Sequence, residues 1–215
     1  VVLARLSHVS VREAIRRLKA AGLDSIQGGG AEILTERMRA EISPGKCTAQ
    51  EWLEVMRVAH EEGLLTTATM MIGGGETLPE RVEHLSRIRS IQDETGGFVS
   101  FIPWNVQLED TPMISTVSES VGPVEYLKLL ALSRIFLDNI KNIQVSWLTQ
   151  GLGVGQIALH CGANDVGSIM IEENVVSKAG TVYCMDVADM QRLIKDLGYE
   201  PRQRDNWYNL VDVAA

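Results

Sequence analysis

Apolar and polar residues are arranged along the chain in blocks that predict alternating helices and strands. The first helical pattern, VREAIRRLKAAGL, ends at Gly22, and the short apolar stretch DSIQGGG follows it. Next comes a long helical stretch broken at Pro44, which includes AQEWLEVMRVAHEEGL with apolar residues at helical spacing. The β-branched, apolar stretch LTTATMMIGGG then predicts a strand that closes at glycines.

The same alternation continues toward the end of the chain. Helical patterns recur in LPERVEHLSRIRSIQDE, VEYLKLLALSRIFLDNI, GQIALHCGAN and DVADMQRLIKDLGY. Pro79 suits a first helical turn, and Asp186 or Asp189 stands near the start of the last helix. Strand-like stretches lie between the helices, in GFVSFIPW, IQVSWLTQG and VGSIMIEENVV. Strands that are each followed by a helix predict parallel βαβ units with right-handed crossovers.

The number of these units bounds the fold. A TIM barrel has eight units and typically about 250 residues, whereas at most five and a half units are visible here. The chain begins with Val1 inside a helical pattern and has no initiating methionine. We therefore expect an α/β fold that forms the C-terminal portion, about strands 4 to 8, of a TIM-type (β/α)8 barrel. Residues 1–215 would be a single domain, with residues 186–215 as a C-terminal helix and tail, and a doubly wound open sheet is the alternative.

Composition and charge exclude several classes of partner. The chain has 215 residues, of which 45% are hydrophobic, which is typical of a well-packed globule. Its formal charge is −8 and its basic residues are scattered, so we expect no nucleic-acid partner. No apolar run approaches the ~20 residues of a membrane span, so we expect no membrane partner and a cytoplasmic location. The three cysteines are far apart and predict neither a disulfide framework nor a metal site.

Glycine and carboxylate follow each other at the carboxyl ends of the first two predicted strands, in QGGGAE and MIGGGE. In barrels and open sheets alike, ligands bind at this end of the strands. Glycine lets a ligand approach the backbone closely, and a carboxylate can accept hydrogen bonds from ribose hydroxyls or an ammonium group. For either loop taken alone, a simple turn is the alternative interpretation.

Neither loop has the spacing of a nucleotide-phosphate motif. GGGAEILT lacks the lysine of the G-x-x-x-x-G-K-[ST] motif, and Ile33 stands where G-x-G-x-x-G requires its last glycine. The residues therefore favour a neutral or zwitterionic ligand whose hydroxyls and amine meet Glu32 and Glu76.

Three segments of the chain resemble a known enzyme family. They are GLDSIQGGGAEILTERMRAEISPGKCTAQEWLEVMRVAHEEGLLTTATMM, ERVEHLSRIRSIQDETGGFVSFIPW and GANDVGSIMIEENVVSKAG, within a resemblance that runs from Val2 to about Val211. The family is the radical S-adenosylmethionine enzymes of the futalosine route to menaquinone, and the resemblance is strongest to the cyclic dehypoxanthinyl futalosine synthases. Aminofutalosine synthase and the two-part synthase of the deazaflavin FO are alternatives. A cluster-free, non-catalytic binding or scaffold protein is another.

The resemblance implies two cofactors, S-adenosylmethionine and a 4Fe-4S cluster. Enzymes of this family hold the cluster through a C-x-x-x-C-x-x-C loop after the first strand and generate a 5'-deoxyadenosyl radical, which takes a ribose hydrogen from the substrate. That motif is absent from these 215 residues. The cluster ligands are therefore expected in a missing N-terminal part, no residue here is predicted to bind metal, and the chain alone is expected to be inactive.

The resemblance also implies a cofactor site. The stretch TMMIGGGE is similar to the family motif G-x-I-x-G-x-x-E, with the Met71 backbone near the adenine and Glu76 supporting the turn. Glu32 would meet the ribose or amino group, although the family more often has histidine where Gly74 stands. The predicted cofactor-binding residues are Glu32, Gly29, Gly30, Met71, Gly73 and Glu76. The alternative for Glu76 is a helix N-terminal carboxylate favoured by the dipole.

Residue chemistry predicts a substrate side as well. Amides, a carboxylate and a hydroxyl at later strand ends suit a small, nucleoside-like substrate rich in ribose hydroxyls. The predicted substrate-binding residues are Trp104, Asn105, Gln150, Asn164, Asp165 and Ser168. For the last three, a capped loop is the alternative.

Other polar residues are expected to be structural. Arg37 and Arg39 are expected on a solvated helix face, and His60, His84 and His160 at exposed helix positions. The sheet edge at DSIQGGG would be unpaired, which predicts poor solubility or an oligomer, either a homo-oligomer in which a second copy covers the edge or a complex with another partner.

Overall fold

A parallel β-sheet forms the centre of the molecule. The computed structural model describes residues 1–108, 121–169 and 183–211. Within these residues the sheet has four strands, ordered β1-β2-β3-β4: Ser25–Ile26, Leu65–Ile72, Phe98–Asn105 and Asn142–Ile143. A parallel bridge between Gln144 and Asp165 continues the sheet past β4. The strand order follows the chain without the reversal of a doubly wound sheet, so the predicted succession of parallel βαβ units is confirmed.

Helices precede the sheet and connect its strands. In chain order they are α1 Val2–Leu6, α2 Val11–Ala20, α3 Glu36–Ile42, α4 Ala49–Glu61, α5 Leu78–Thr95, α6 Pro123–Phe136, α7 Trp147–Gln150, α8 Leu152–His160 and α9 Val187–Lys195. The periodic patterns thus predicted α2, α4, α5, α6, α8 and α9. The division of the chain into one domain with a tail from residue 186 stays a prediction.

Side-chain caps fix where α4, α5 and α9 begin. The Thr48 and Thr77 hydroxyls accept the amides of Glu51 and Glu80, whose carboxylates bond back to the threonine amides in two capping boxes. The Asp186 side chain likewise accepts from the Asp189 amide at the start of α9. The predicted start near Asp186 agrees with the structure, because this cap lies within the first residues of the helix itself.

The central strands have two different faces. Along β2, Ala68, Met70 and Ile72 are fully buried in the core against the helices. The alternate residues, among them Thr69 and Met71, occupy the opposite face, which we call the inner face. The glycines that follow β1 and β2 therefore lie at the carboxyl edge of this sheet.

Two strand predictions differ from the structure. IQVSWLTQG contains only the end of a two-residue strand, because the one-turn helix α7 forms at Trp147–Gln150. Ser146 initiates that turn: its carbonyl accepts from the Thr149 amide, and its hydroxyl bonds the Thr149 hydroxyl at 2.9 Å. In VGSIMIEENVV, residues 166–169 are not a strand, and the rest of the pattern lies outside the described residues.

Candidate functional site

Gly28 brings the first glycine loop against β2. Its amide donates to the Thr67 hydroxyl at 2.8 Å, and its carbonyl accepts from the Thr69 hydroxyl at 2.7 Å. A Cβ atom at this position would lie 2.4 Å from the Thr67 carbonyl oxygen. Only glycine fits so close to the neighbouring backbone, so residues 28–32 begin at a fixed point on the sheet.

Arg39 shapes the next part of the loop. Its guanidinium donates to the carbonyls of Gly30 and Ala31 at 2.9 and 3.0 Å, and to the Cys47 carbonyl at 2.6 Å. The residue is 4% exposed, so the expected solvated helix face is wrong for Arg39. The loop carbonyls take the place of water around its charge. Arg37, by contrast, is exposed and pairs with Glu41 and Glu80.

The glycine beside these carbonyls is open. A Cβ atom added at Gly29 would meet no described residue within 4 Å, and Gly30 has φ +80°. The backbone here is thus accessible on one side while Arg39 holds it on the other. This arrangement permits a ligand to contact the main chain.

Glu32 is the most unusual residue of the loop. Its φ is +44°, a left-handed value that residues other than glycine seldom adopt. The residue is only 9% exposed, and Lys46 Nζ donates to Oε1 at 2.9 Å. Its other oxygen, Oε2, is buried and has no hydrogen-bond partner in the described part of the chain. A buried carboxylate oxygen without a donor is costly, so it is suited to a ligand donor.

Glu76 is in a different situation. Its two oxygens accept from the amides of Gly73, at 3.0 and 3.1 Å, and of Gly74, at 2.9 Å. Arg81 adds a 2.9 Å ion pair, and the Glu76 side chain is 1% exposed. Its carboxylate thus binds the turn after β2, where Gly73 has φ +89°. Its oxygens already have protein donors.

Met71 and Trp104 share the inner face next to Glu32. They are register partners on β2 and β3, and the Met71 amide donates to the Glu32 carbonyl at 3.0 Å. Asn105 follows Trp104 and therefore points to the opposite face, where its Nδ2 donates to the Val121 carbonyl at 2.7 Å. The structure thus brings Glu32, Met71 and Trp104 together but turns Asn105 away.

Asn164 lies beside the start of β4. Its Oδ1 accepts from the Ile143 amide at 2.9 Å and from Arg134 of α6 at 2.8 Å. Asp165 accepts from Arg204 Nη2 at 2.9 Å and from the Gly167 amide at 2.6 Å. Both side chains thus bond protein groups.

The last two predicted substrate residues differ in exposure. Gln150, in α7, is buried, and its Nε2 donates to the Thr149 hydroxyl at 3.3 Å. Ser168 is exposed.

Two histidines contradict the expectation of exposed helix positions. His84 of α5 is fully buried, and its Nδ1 accepts the Leu34 amide at 3.0 Å. Burial lowers the pKa of His84 to about 3 and that of the half-buried His60 to about 4. The available signal was spacing, since His84 shares its helix stripe with the buried Ile88 and Ile91. His160 is exposed, as expected.

Two family models together account for nearly the whole chain. Residues 95–215 match the CofH/MqnC C-terminal region, and residues 2–88 match the radical SAM superfamily. The chain belongs to the CofH/MqnC family. With this membership, the sequential parallel sheet confirms the predicted α/β fold as part of a TIM-type radical SAM barrel.

Individual relatives of this CofH/MqnC chain fall into two groups by name. It is 50% identical to a cyclic dehypoxanthine futalosine synthase of Streptomyces coelicolor, over 96% of this chain and 51% of the relative. It is 47% identical to one of Halalkalibacterium halodurans, over 97% and 56%. A 5-amino-6-(D-ribitylamino)uracil–L-tyrosine 4-hydroxyphenyl transferase of Methanosarcina mazei is 41% identical, over 97% and 56%. The chain therefore spans about half the length of the curated relatives it matches.

The residues of the CofH/MqnC chain fit one of the two expected cofactors. Open backbone at Gly29 and the unpartnered Glu32 Oε2 fit the hydroxyl and amine donors of S-adenosylmethionine. A 4Fe-4S cluster does not fit this chain, because Cys47, Cys161 and Cys184 lack the C-x-x-x-C-x-x-C spacing. Among the described residues, no three His, Cys, Asp or Glu side chains are grouped to hold a metal. None of the described helices is long and apolar enough to cross a membrane.

Proposed function

We propose that the protein is a radical S-adenosylmethionine cyclase that acts on dehypoxanthinyl futalosine in menaquinone synthesis. The observation that carries the proposal is identity: 50% and 47% to relatives named as this cyclase, against 41% to a relative named as the transferase. We further propose a cytoplasmic enzyme with a small nucleoside-like substrate. A homo-oligomer is proposed on the weaker ground of the sheet edge at β1.

The cofactor side of the proposal rests on residues 28–32. Glu32 Oε2 is proposed to accept a hydrogen bond from the ribose or amino group, while Gly29 and Gly30 present open backbone. Met71 is proposed to contact the adenine, since its amide bonds the Glu32 carbonyl. Gly73 and Glu76 are proposed to support that contact through the turn after β2.

S-adenosylmethionine, once bound and reduced by one electron from a cluster held outside this chain, would supply the group that abstracts a hydrogen atom, and the residues of this chain would bind and orient it. Holding a nucleoside against a fixed strand end keeps the reacting atoms at a defined distance. Thr67 and Thr69 supply that fixed point by bonding Gly28. Lys46 donates to Oε1 of Glu32, which leaves Oε2 for the ligand donor.

On the substrate side we propose the six predicted residues with different weight. Trp104 carries the most, since it pairs with Met71 on the inner face and offers an aromatic surface for a nucleoside. Gln150 and Ser168 follow. Asn164 and Asp165 already bond protein groups, so a substrate would have to replace those bonds, and Asn105 points away from the inner face.

The proposal is tested on the protein expressed from its complete gene, purified anaerobically with its cluster reconstituted. We expect it to consume dehypoxanthinyl futalosine when S-adenosylmethionine and a reductant are present. Turnover of 5-amino-6-(D-ribitylamino)uracil with tyrosine instead would establish the transferase, the alternative that the 41% identical relative supports. Inactivity on both, and on the aminofutalosine synthase substrate, would favour a binding or scaffold protein.

The cofactor site is tested by calorimetric titration of the same protein with S-adenosylmethionine. We expect Glu32→Ala to weaken binding about tenfold or more, because a hydrogen bond to a charged group contributes roughly 1.5 to 3 kcal/mol. Glu36→Ala is the matched control, since Glu36 is an exposed carboxylate four residues away. Equal affinity of Glu32→Ala and the wild type would reject the assignment of Glu32.

A further inference from the structure

The backbone at Glu32 needs support from its surroundings. A left-handed conformation at a residue other than glycine is unfavourable, and such residues persist only where neighbouring groups determine them. Glu32 has φ +44°, and its own carbonyl accepts from the Met71 amide. That single bond to β2 fixes one peptide, so the peptides on either side must be held by other groups.

Arg39 holds the chain before Glu32. Its Nη1 donates to the carbonyls of Gly30 and Ala31, the two residues that directly precede Glu32. Its Nε donates to the Cys47 carbonyl beyond α3. Because the guanidinium is planar and its donors point in fixed directions, it sets the orientation of two consecutive peptides at once.

His84 holds the chain after Glu32. Its Nδ1 accepts the amide of Leu34, and both residues are fully buried. The buried ring is neutral, since its pKa is lowered to about 3, so the Nδ1 lone pair is available near neutral pH. This support comes from α5, a different element from the α3 helix that carries Arg39.

We propose that Arg39 and His84 are positioning residues that hold Glu32 in its left-handed conformation and thereby direct its unpartnered carboxylate oxygen at the ligand. The inference rests on the proposed function, in which Glu32 meets the nucleoside cofactor. Neither residue touches the ligand; both act through the backbone of residues 30–34.

A double-mutant cycle on affinity tests this inference, with S-adenosylmethionine titrated into the protein expressed from its complete gene. We expect His84→Leu to weaken binding by about fivefold to tenfold and to cause no further loss in a Glu32→Ala background, because both variants remove the same contact. His84→Asn, which keeps an acceptor near the Nδ1 position, should recover most of the affinity. Additive losses from His84→Leu and Glu32→Ala, or unchanged affinity of His84→Leu, would overturn the proposal.

His60→Leu is the matched control, because His60 is a half-buried histidine that is hydrogen-bonded within the fold. His60 bonds the hydroxyls of Thr66 and Thr95 at 2.7 and 2.6 Å, at the amino end of β2 and away from Glu32. We expect His60→Leu to lower the melting temperature while leaving the affinity unchanged. A loss of affinity in His60→Leu equal to that in His84→Leu would mean that destabilisation alone explains the effect, and would contradict the positioning role.

A second readout separates this inference from the proposed function. Glycine tolerates φ +44° and alanine does not, so we expect Glu32→Gly to melt at a higher temperature than Glu32→Ala. Without the support of His84 the backbone can relax, so this gap, the difference in melting temperature between Glu32→Gly and Glu32→Ala, should narrow in a His84→Leu background. An equal gap in both backgrounds would overturn the positioning role. If Glu32→Ala leaves affinity unchanged but the gap narrows, the cofactor assignment fails while the backbone support stands.

Discussion

Single residues determine how closely the first glycine loop approaches the sheet. Gly28 takes its two hydrogen bonds from threonine hydroxyls on β2, in a space where a Cβ atom would be 2.4 Å from a carbonyl oxygen. A Cβ atom at the neighbouring Gly29 would instead point into open space among the described residues. Of these two adjacent glycines, only Gly28 lies where a side chain would clash with neighbouring backbone.

We expect Gly28→Ala to lower the free energy of unfolding by about 2 to 3 kcal/mol, because the new methyl group forces backbone to move. Gly29→Ala should change it by less than about 0.5 kcal/mol, since its φ is not left-handed and nothing lies within 4 Å. Urea unfolding of both variants measures the difference. Similar losses in the two variants would show that the close contact with Thr67 does not matter.

Helices α4 and α5 contact the sheet region through histidines that must stay neutral. His60 of α4 bonds Thr66 on β2, and His84 of α5 bonds the Leu34 amide. The pKa of each is lowered by burial, to about 4 and about 3. The unfolded chain takes up protons at these rings near pH 6.5, where the folded protein does not.

Stability should therefore fall as the pH decreases from about 6.5 toward 4, because the unfolded state binds more protons in that window. Each histidine contributes a slope of at most about 1.4 kcal/mol per pH unit. Melting temperatures recorded from pH 7.5 to 4.5 should show a reduced slope in His84→Asn. An equal slope in His84→Asn and the wild type would contradict this prediction.

What could be predicted at this scale was local. The apolar spacing in α4 and the proline in the first turn of α5 are local signals, so both helices were predicted from sequence. The burial of Arg39 and His84 depends on carbonyls and amides that other segments supply. Their partners lie at residues 30, 31, 34 and 47, and only the assembled fold brings them together.

The candidate site was predictable to a similar extent. The pattern of glycines followed by a carboxylate identified Glu32 and Glu76 as candidates, but the amino-acid sequence does not distinguish the environments of the two side chains. Glu76 accepts from backbone amides and pairs with Arg81, while one oxygen of Glu32 has no partner among residues 1–108, 121–169 and 183–211. The two carboxylates differ because the turn after β2 directs backbone amides at Glu76, whereas the described residues direct none at Glu32 Oε2.

At the scale of the whole molecule, the C-terminal tail returns to the sheet. Arg204 binds Asp165 through two nitrogens and stacks on the Tyr208 ring, 3.8 Å from its centroid. The Tyr208 hydroxyl reaches the Gln144 side chain at 3.2 Å. A short antiparallel bridge between Arg204 and Leu210 completes the tail. Residues distant in sequence thereby cover the end of the sheet at β4.

We expect Arg204→Ala to release this tail, because it leaves the Asp165 carboxylate, whose side chain is 8% exposed, without its cation. The loss of stability should be about 2 to 3 kcal/mol, somewhat below that of breaking a fully buried pair. Hydrogen exchange of residues 203–211 should become faster. Arg202→Ala is the control, because Arg202 is exposed and its exchange pattern should match the wild type.

The sequential order of the strands also affects how the chain folds. The strands pair residue 25 with 65, 66 with 98, and 100 with 142, so each described strand pairs with the one made just before it. Every loop to be closed therefore spans only one βα unit, and loop-closure entropy rises slowly with length. The described sheet can consequently form one strand at a time as the ribosome releases the chain, because each strand pairs with one that has already been synthesised.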